Sequence, residues 1–224
     1  LEKAIEAIPD LVISDVMMPE MDGNEMCAKL KSDERTSHIP VIILTARASM
    51  QSKIQGLETG ADDFITKPFD SHELKVRVKN LIVQRKKLHD RFIKKIQKTG
   101  LDHMLEIENE DFTPPDQQFM QRVVNIILKY LSDPEFDVER LSSAMNLSRM
   151  QVYRKLAGLT GYTPGNFIRC MRLNKAAEML SRRVGKVSEI AFDVGFNNLS
   201  YFTKCFKEQF GVLPSEYNTS KEKS

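Results

Sequence analysis

The chain has 224 residues, 41% of them apolar, which suits one large core or two modest ones, and its formal net charge is only +2. No apolar run approaches membrane-spanning length and no signal-peptide pattern opens the chain, so nothing in it predicts a direct membrane contact. Cys27, Cys170 and Cys205 are odd in number and far apart, without CxxC, and are expected as reduced core thiols in a cytoplasmic setting. The histidines (His38, His72, His89 and His103) lack ligand spacing. Charge divides unevenly. Residues 116–224 hold 16 Lys and Arg against 11 Asp and Glu, leaving 17 against 20 for residues 1–115, so the second half is the one suited to a polyanion.

Leu1 to Ile8 reads as the tail of a helix. Leu11-Val12-Ile13-Ser14 and Val41-Ile42-Ile43-Leu44 are short, continuously apolar, β-branched runs, which predicts buried parallel strands, and Phe64-Ile65-Thr66 is a weaker third. Helical stretches follow at Asn24 to Lys31, Ser49 to Thr59, and Ser71 to about Ile96. The alternation predicts an α/β unit with right-handed crossovers, whose chemistry gathers beyond the carboxyl ends of the strands. Asp15, Thr45 and Lys67 fall at those three ends. A carboxylate, a hydroxyl and an ammonium so placed can converge on one small anion, the carboxylate as an acyl-phosphate nucleophile. Singly, Asp15 would read as a helix cap and Lys67 as a surface residue; the triple favours a site.

Asp10-Leu11-Val12-Ile13-Ser14-Asp15-Val16-Met17-Met18-Pro19-Glu20-Met21-Asp22-Gly23 resembles the phosphoacceptor strand and loop of response-regulator receiver domains. Leu44-Thr45-Ala46 and Gly60-Ala61-Asp62-Asp63-Phe64-Ile65-Thr66-Lys67-Pro68-Phe69 match that family's next two signatures in order. The resemblance implies a partial doubly wound, flavodoxin-like fold, with Asp15 as the phosphorylated aspartate, Thr45 and Phe64 as the switch pair, and Lys67 as the phosphate contact. It also implies Mg²⁺ held by Asp15 and the Met17 backbone carbonyl, together with an acidic pair on a strand further upstream. Only fourteen residues precede Asp15, whereas a β-α-β unit takes about 30. The receiver is therefore expected to be N-terminally truncated in this sequence, and Mg²⁺ is expected only in a complete receiver.

The last receiver helix overruns its domain with an apolar stripe (Leu74, Val78, Leu81, Ile82, Leu88, Phe92, Ile96), as either a dimerising helix or a linker helix docked on its own domain. Gly100 reads as a helix stop, and the acidic run Glu106 to Pro115 as a linker. The expected organisation is a receiver at 1–97, a linker at 98–116, a DNA-binding domain at 117–218 and a tail at 219–224.

From Gln117 the pattern is helical, with Phe119, Val123, Ile126, Ile127 and Tyr130 as one stripe. Two helix-turn-helix units follow. One runs Val138 to Met145, turns at Asn146-Leu147-Ser148 and restarts at Arg149 to Leu156. The other runs Val187 to Val194, turns at Gly195-Phe196-Asn197 and restarts at Asn198 to Lys207. Ala144 and Ala191 are expected to admit a crossing helix, and Phe167 to Arg182 to bridge the two units. Arg149, Met150, Gln151, Tyr153 and Arg154 are expected to face bases on the first reading helix, as are Asn198, Ser200, Tyr201, Thr203 and Lys204 on the second. Lys155 and Lys207 are expected on phosphates, and Val152, Leu156, Phe202 and Phe206 in the core.

Phe192, Val194-Gly195-Phe196, Tyr201-Phe202, Phe206, Phe210-Gly211 and Pro214-Ser215-Glu216-Tyr217 resemble the signature of AraC-type transcription regulators, as do Arg154-Lys155-Leu156, Leu159-Thr160-Gly161 and Arg172-Leu173-Asn174-Lys175-Ala176. Joined to a receiver, they are most similar to the end of a hybrid two-component sensor. That implies a DNA-binding transcription regulator controlled by aspartyl phosphorylation, with double-stranded DNA, a histidine kinase or other phosphodonor, and a second copy as partners. One alternative is a phosphorylation-independent regulator that uses its α/β half only to dimerise. An alkyl-transfer repair enzyme would need a metal-activated cysteine cluster, which three dispersed cysteines do not form, so no catalytic residue is assigned.

Overall fold

The computed structural model describes residues 1–46, 59–99 and 112–217, with backbone alone for 93–99. Most of the helix predicted at Ser49 to Thr59 lies outside the described residues, as do Gly100, the acidic run up to Asp111 and the tail. Contacts divide the chain into two compact units. The first is Leu1–Phe92 with Asn109–Phe119 and Tyr153–Gly161, and the second is Ile93–Glu108 with Met120–Val152 and Tyr162–Ser224.

The first unit opens with a short helix α1 (Glu2–Ala7) and carries a parallel three-stranded sheet in the order β1 (Val12–Asp15), β2 (Val41–Thr45), β3 (Asp63–Thr66). Val41, Ile42 and Ile43 are wholly buried because β2 is the central strand. Ile13, expected inside, is 43% exposed, since β1 is an edge of this sheet. Helix α2 (Gly23–Ser32) starts on the Asp22 carboxylate, which accepts the Asn24 and Glu25 N–H groups at 2.8 and 2.9 Å. Its inner face sends Cys27 and Leu30 against Val41, Ile43 and Ala61, with Val12 and Phe64 at the margin. Such burial stabilises by about 1.5–3 kcal/mol per large side chain.

Helix α3 (Ser71–Thr99) is pinned to β3 by Arg77, which reaches Asp63 at 2.8 Å and Glu73 at 3.0 Å. Leu74, Val78, Leu81 and Leu88 are half-buried and Phe92 is buried. Ile82, assigned to the same stripe, is 58% exposed, because it lies one residue and about 100° beyond Leu81. Helix α4 (Pro114–Lys129) begins on the proline pair read as the end of the linker. Proline suits a first turn, where its missing N–H would have had no helical partner.

In the second unit Met120, Val123, Val124 and Ile127 of α4 are fully buried. Helix α5 (Val138–Met145) is capped by Asp137 at its start and ends on Asn146 in the left-handed region, φ 55°. Helix α6 (Arg149–Thr160) follows, and the long α7 (Pro164–Ser181) starts on a Thr163 cap. Helices α8 (Val187–Asp193) and α9 (Leu199–Phe210) make the second helix-turn-helix, and a 3₁₀ turn at Pro214–Glu216 closes the described chain. Phe202, Phe206, Phe210 and Tyr217 form a cluster of tilted and edge-to-face rings with neighbouring centroids 4.5 to 5.6 Å apart. Ala191 is 1% exposed as expected, but Ala144 is exposed: Leu141, Ser142 and Met145 fill the inward face of α5, which leaves Ala144 outside.

Candidate phosphoacceptor corner and nucleic-acid interface

Asp15 ends β1 and Thr45 ends β2, while Lys67 follows β3, so the three residues lie together at the carboxyl end of the sheet. The Lys67 Nζ donates to the Asp15 carboxylate. That bond holds the Asp15 carboxyl below the usual range, against an opposing push from desolvation and with help from the Met17 N–H at 3.4 Å. The Lys67 N–H donates to the Thr45 carbonyl at 2.7 Å, which fixes where the lysine leaves the strand. Thr45 is 6% exposed and Phe64 half-buried. Register pairs Ile43 with Phe64 and Thr45 with Thr66, so by strand alternation Thr45 and Phe64 share one face of the sheet.

Gly23 belongs to this corner, although it was not singled out from the sequence. A Cβ there would sit 3.0 Å from the Asp15 carbonyl carbon and nearer still to its oxygen. Only glycine lets α2 start so close behind the phosphoacceptor strand. Its place directly after the Asp22 cap was the available signal.

The donor set does not fit Mg²⁺. The ion takes near-octahedral oxygen coordination, and among the described residues no group of three or more acidic, His or Cys side chains converges. Asp15 and the carbonyl of Met17, whose side chain is 82% exposed, supply a fraction of the shell, and Lys67 already occupies one carboxylate oxygen.

On α6, Arg149, Met150, Tyr153 and Arg154 are exposed, and Arg154 Nη1 donates to the Ile8 carbonyl at 3.3 Å. Gln151 is half-buried and spends its side chain on a reciprocal cap: its Oε1 accepts the Ser148 N–H at 2.9 Å, and its own N–H donates to Ser148 Oγ at 3.2 Å. Lys155, expected on phosphate, is 1% exposed. Its ammonium pairs with Asp116 at 2.9 Å, donates to Ser37 Oγ at 3.0 Å and to the Glu34 carbonyl, and lies 4.8 Å from the Phe119 ring centre. Lys155 is flanked by the buried Leu156 and lies three residues past the buried Val152, so it falls on the inward face of α6. Burial lowers its pKa. Burial also pushes the Asp116 carboxyl up, but the Lys155 charge and the hydroxyls of Ser37 and Thr113 outweigh that and leave it low.

On α9, Ser200, Tyr201, Lys204 and Lys207 are exposed and Thr203 is half-buried, with its hydroxyl turned back to the Leu199 carbonyl at 2.9 Å. Asn198 is exposed and is the cap of α9, accepting the Tyr201 N–H at 2.8 Å. Arg169 of α7, also missed from sequence, donates to the Tyr201 hydroxyl at 2.9 Å and to Asn166 Oδ1 at 3.0 Å. Val152, Leu156, Phe202 and Phe206 are fully buried, as their spacing predicted.

Residues 1–79 match the family model of the response regulator receiver domain, and residues 141–220 match that of a helix-turn-helix domain. The chain is 38% identical over 217 residues, 97% of its length, to histidine kinase P4 of Formosa agariphila, of which it spans 15%. It is 49% identical over 79 residues to the DNA-binding dual master transcriptional regulator RpaA of a Synechocystis strain, matching 35% of this chain and 33% of that one. A solved structure, the C-terminal domain of the two-component response regulator yesN from Fusobacterium nucleatum, aligns over 45% of this chain and 98% of its own, at 27% identity and a TM-score of 0.42. The chain is thus similar to a response regulator receiver domain over residues 1–79 and to a helix-turn-helix domain over residues 141–220.

Proposed function

We propose that the chain is the output end of a two-component phosphorelay: a transcription regulator that reads double-stranded DNA under the control of phosphate on Asp15. The observation that carries this is the Asp15–Lys67 ion pair across the carboxyl ends of β1 and β3, on either side of β2, within the same chain as an exposed, basic α9. Phosphate on Asp15 would add a strongly charged group for Lys67 and draw Thr45 inward, and Phe64, on the same face, would repack. Arg149, Met150, Tyr153 and Arg154, with Ser200, Tyr201 and Lys204, are the proposed base-facing set; Lys207 is proposed on phosphate, and Gln151, Asn198 and Thr203 shape the helix starts or the edge of this surface. No residue is proposed to be catalytic. The proposed organisation is a receiver, a linker and a DNA-binding domain that begins within the first turn of α4.

The near-complete match to part of a histidine kinase supports placing the chain within a hybrid sensor whose kinase part is the phosphodonor. Three free buried cysteines support a cytoplasmic setting, and among the described residues no helix is long and apolar enough to cross a membrane. Two copies on one DNA site would gain effective concentration without a new base contact. Mg²⁺ would belong to a fuller oxygen set than these residues supply.

The test uses the complete natural polypeptide with a phosphodonor. Hydroxylamine-labile phosphate is expected on Asp15, with a matching rise in DNA binding. Asp15→Asn is expected to abolish both while leaving basal binding intact. A full response from the Asp15→Asn protein would instead favour the reading in which the α/β half serves only to dimerise.

A further inference from the structure

The second unit contains an arginine whose work is done entirely inside it. Arg172, near the middle of α7, donates from Nε to the Leu131 carbonyl at 3.2 Å and from Nη2 to the carbonyls of Asp133 and Phe136 at 2.6 and 3.4 Å. Those carbonyls belong to the turn between α4 and α5, where backbone acceptors have run out of helical partners and Leu131 and Phe136 are buried. A planar guanidinium with five donors can satisfy several divergent carbonyls at once; an ammonium cannot.

The same guanidinium touches the second helix-turn-helix. Gly195, in the turn between α8 and α9, has φ +83°, and a Cβ there would lie 2.9 Å from Arg172 Nε and nearer still to the Leu131 carbonyl oxygen. The backbone of the second turn therefore rests directly on the joint that Arg172 makes with the loop leading into the first. Arg140 adds an outer tie, pairing with Asp133 at 2.6 Å.

We infer that Arg172 and Gly195 form an interlock that sets the second helix-turn-helix against the loop leading into the first, which makes Arg172 a positioning residue for two-groove reading that touches no DNA itself. The inference rests on the proposed DNA reading. An open cleft lined by Phe136, Asn166, Arg169 and Tyr201 flanks the joint, so it has room to shift once the fork is lost. Without the interlock each half still folds on its own local caps, and the spacing between the halves is no longer held.

The test uses the full chain and a duplex selected by it from random sequence. Derivatives of that duplex carry one scrambled half or a spacer lengthened by about 5 base pairs, half a helical turn. The wild-type chain should bind the lengthened duplex at least about tenfold more weakly, since rigid spacing is what rewards the correct phase. Arg172→Lys and, independently, Gly195→Ala should bind the original duplex about tenfold more weakly, treat the lengthened one nearly alike, and match wild type within about twofold on a single half-site. Both should also speed amide exchange at 131–136 and 193–198. Retention of the wild-type phase preference by both folded variants, or equal loss on one half-site and two, would overturn the inference. If the chain selects no sequence at all, the DNA reading fails, and unchanged exchange in the variants then overturns the interlock separately.

Discussion

His38 shows what burial does to a single group. It is 7% exposed, its Nδ1 has no hydrogen-bond partner, and a Cβ on Gly158 would lie 2.7 Å from its Cδ2. Burial first, then the charges of Lys155 and Arg85, bring its pKa down to about 3 from an ordinary 6.5. The folded chain thus refuses a proton that the unfolded chain takes up below pH about 6.5. Stability is unaffected above that pH and falls as pH drops from about 6.5 towards about 3, by at most about 1.4 kcal/mol per pH unit. Urea unfolding between pH 7 and pH 4 should show this limb, and His38→Leu should flatten it. The Lys155–Asp116 pair behaves differently, because each charge is the other's compensation. Asp116→Ala should cost about 3–5 kcal/mol by stranding a buried ammonium, whereas Asp116→Ala with Lys155→Met should recover most of it. A double variant as unstable as the single one would show that the pair's hydrogen bonds, and not its charges, carry the stability.

At the level of elements, capping decides where the reading helices begin. Asn198 closes the start of α9 and the Ser148–Gln151 pair closes that of α6. Asn198→Ala should cost about 1 kcal/mol in thermal unfolding of the DNA-binding half and should weaken binding mainly by fraying the first turn of α9. Asn198→Asp, which can still cap, should keep the stability, so the two variants separate capping from base contact. The strands were legible in the sequence through the apolar, β-branched runs of β2 and, more weakly, β3, whereas Asn198 and Gln151 read as base-facing and prove to be caps. What sequence could not show depended on partners far along the chain. Lys155 reads as one more basic residue on a basic helix until Asp116, 39 positions earlier, lies beside it. Ile13 reads as buried until β1 proves to be an edge. Pro114 and Pro115 read as a boundary, yet proline serves equally well as a first turn. The corner of Asp15, Thr45 and Lys67 was legible because strand ends in a parallel sheet gather whatever follows them. Gly23 escaped because its close approach to the Asp15 carbonyl shows only in three dimensions, its place after the Asp22 cap being the one local signal.

For the molecule as a whole, the surplus of 16 basic over 11 acidic residues in 116–224 sets the expected salt response. Binding to duplex DNA should weaken steeply between about 50 and 200 mM salt as phosphate contacts release counterions. Lys207→Ala should reduce the slope by about one contact and weaken all sequences alike. Arg154→Ala should cost about 1–3 kcal/mol and relax preference at the bases it meets. Flat binding across that salt range would contradict the phosphate contacts.

Helix α3 runs 29 residues, from Ser71 to Thr99, and that is about 44 Å of rod at 1.5 Å per residue. Arg77 clamps its first turns to Asp63 at the start of β3, the strand whose other end leads to Lys67 and Asp15. A rod fixed near one end is a lever. Tilting it by about 10° at the Arg77 clamp displaces its far end by about 6 Å, more than one helical turn of travel. A small rotation at the clamp is thus a large displacement at the far end, and the gain is set by the length of the helix.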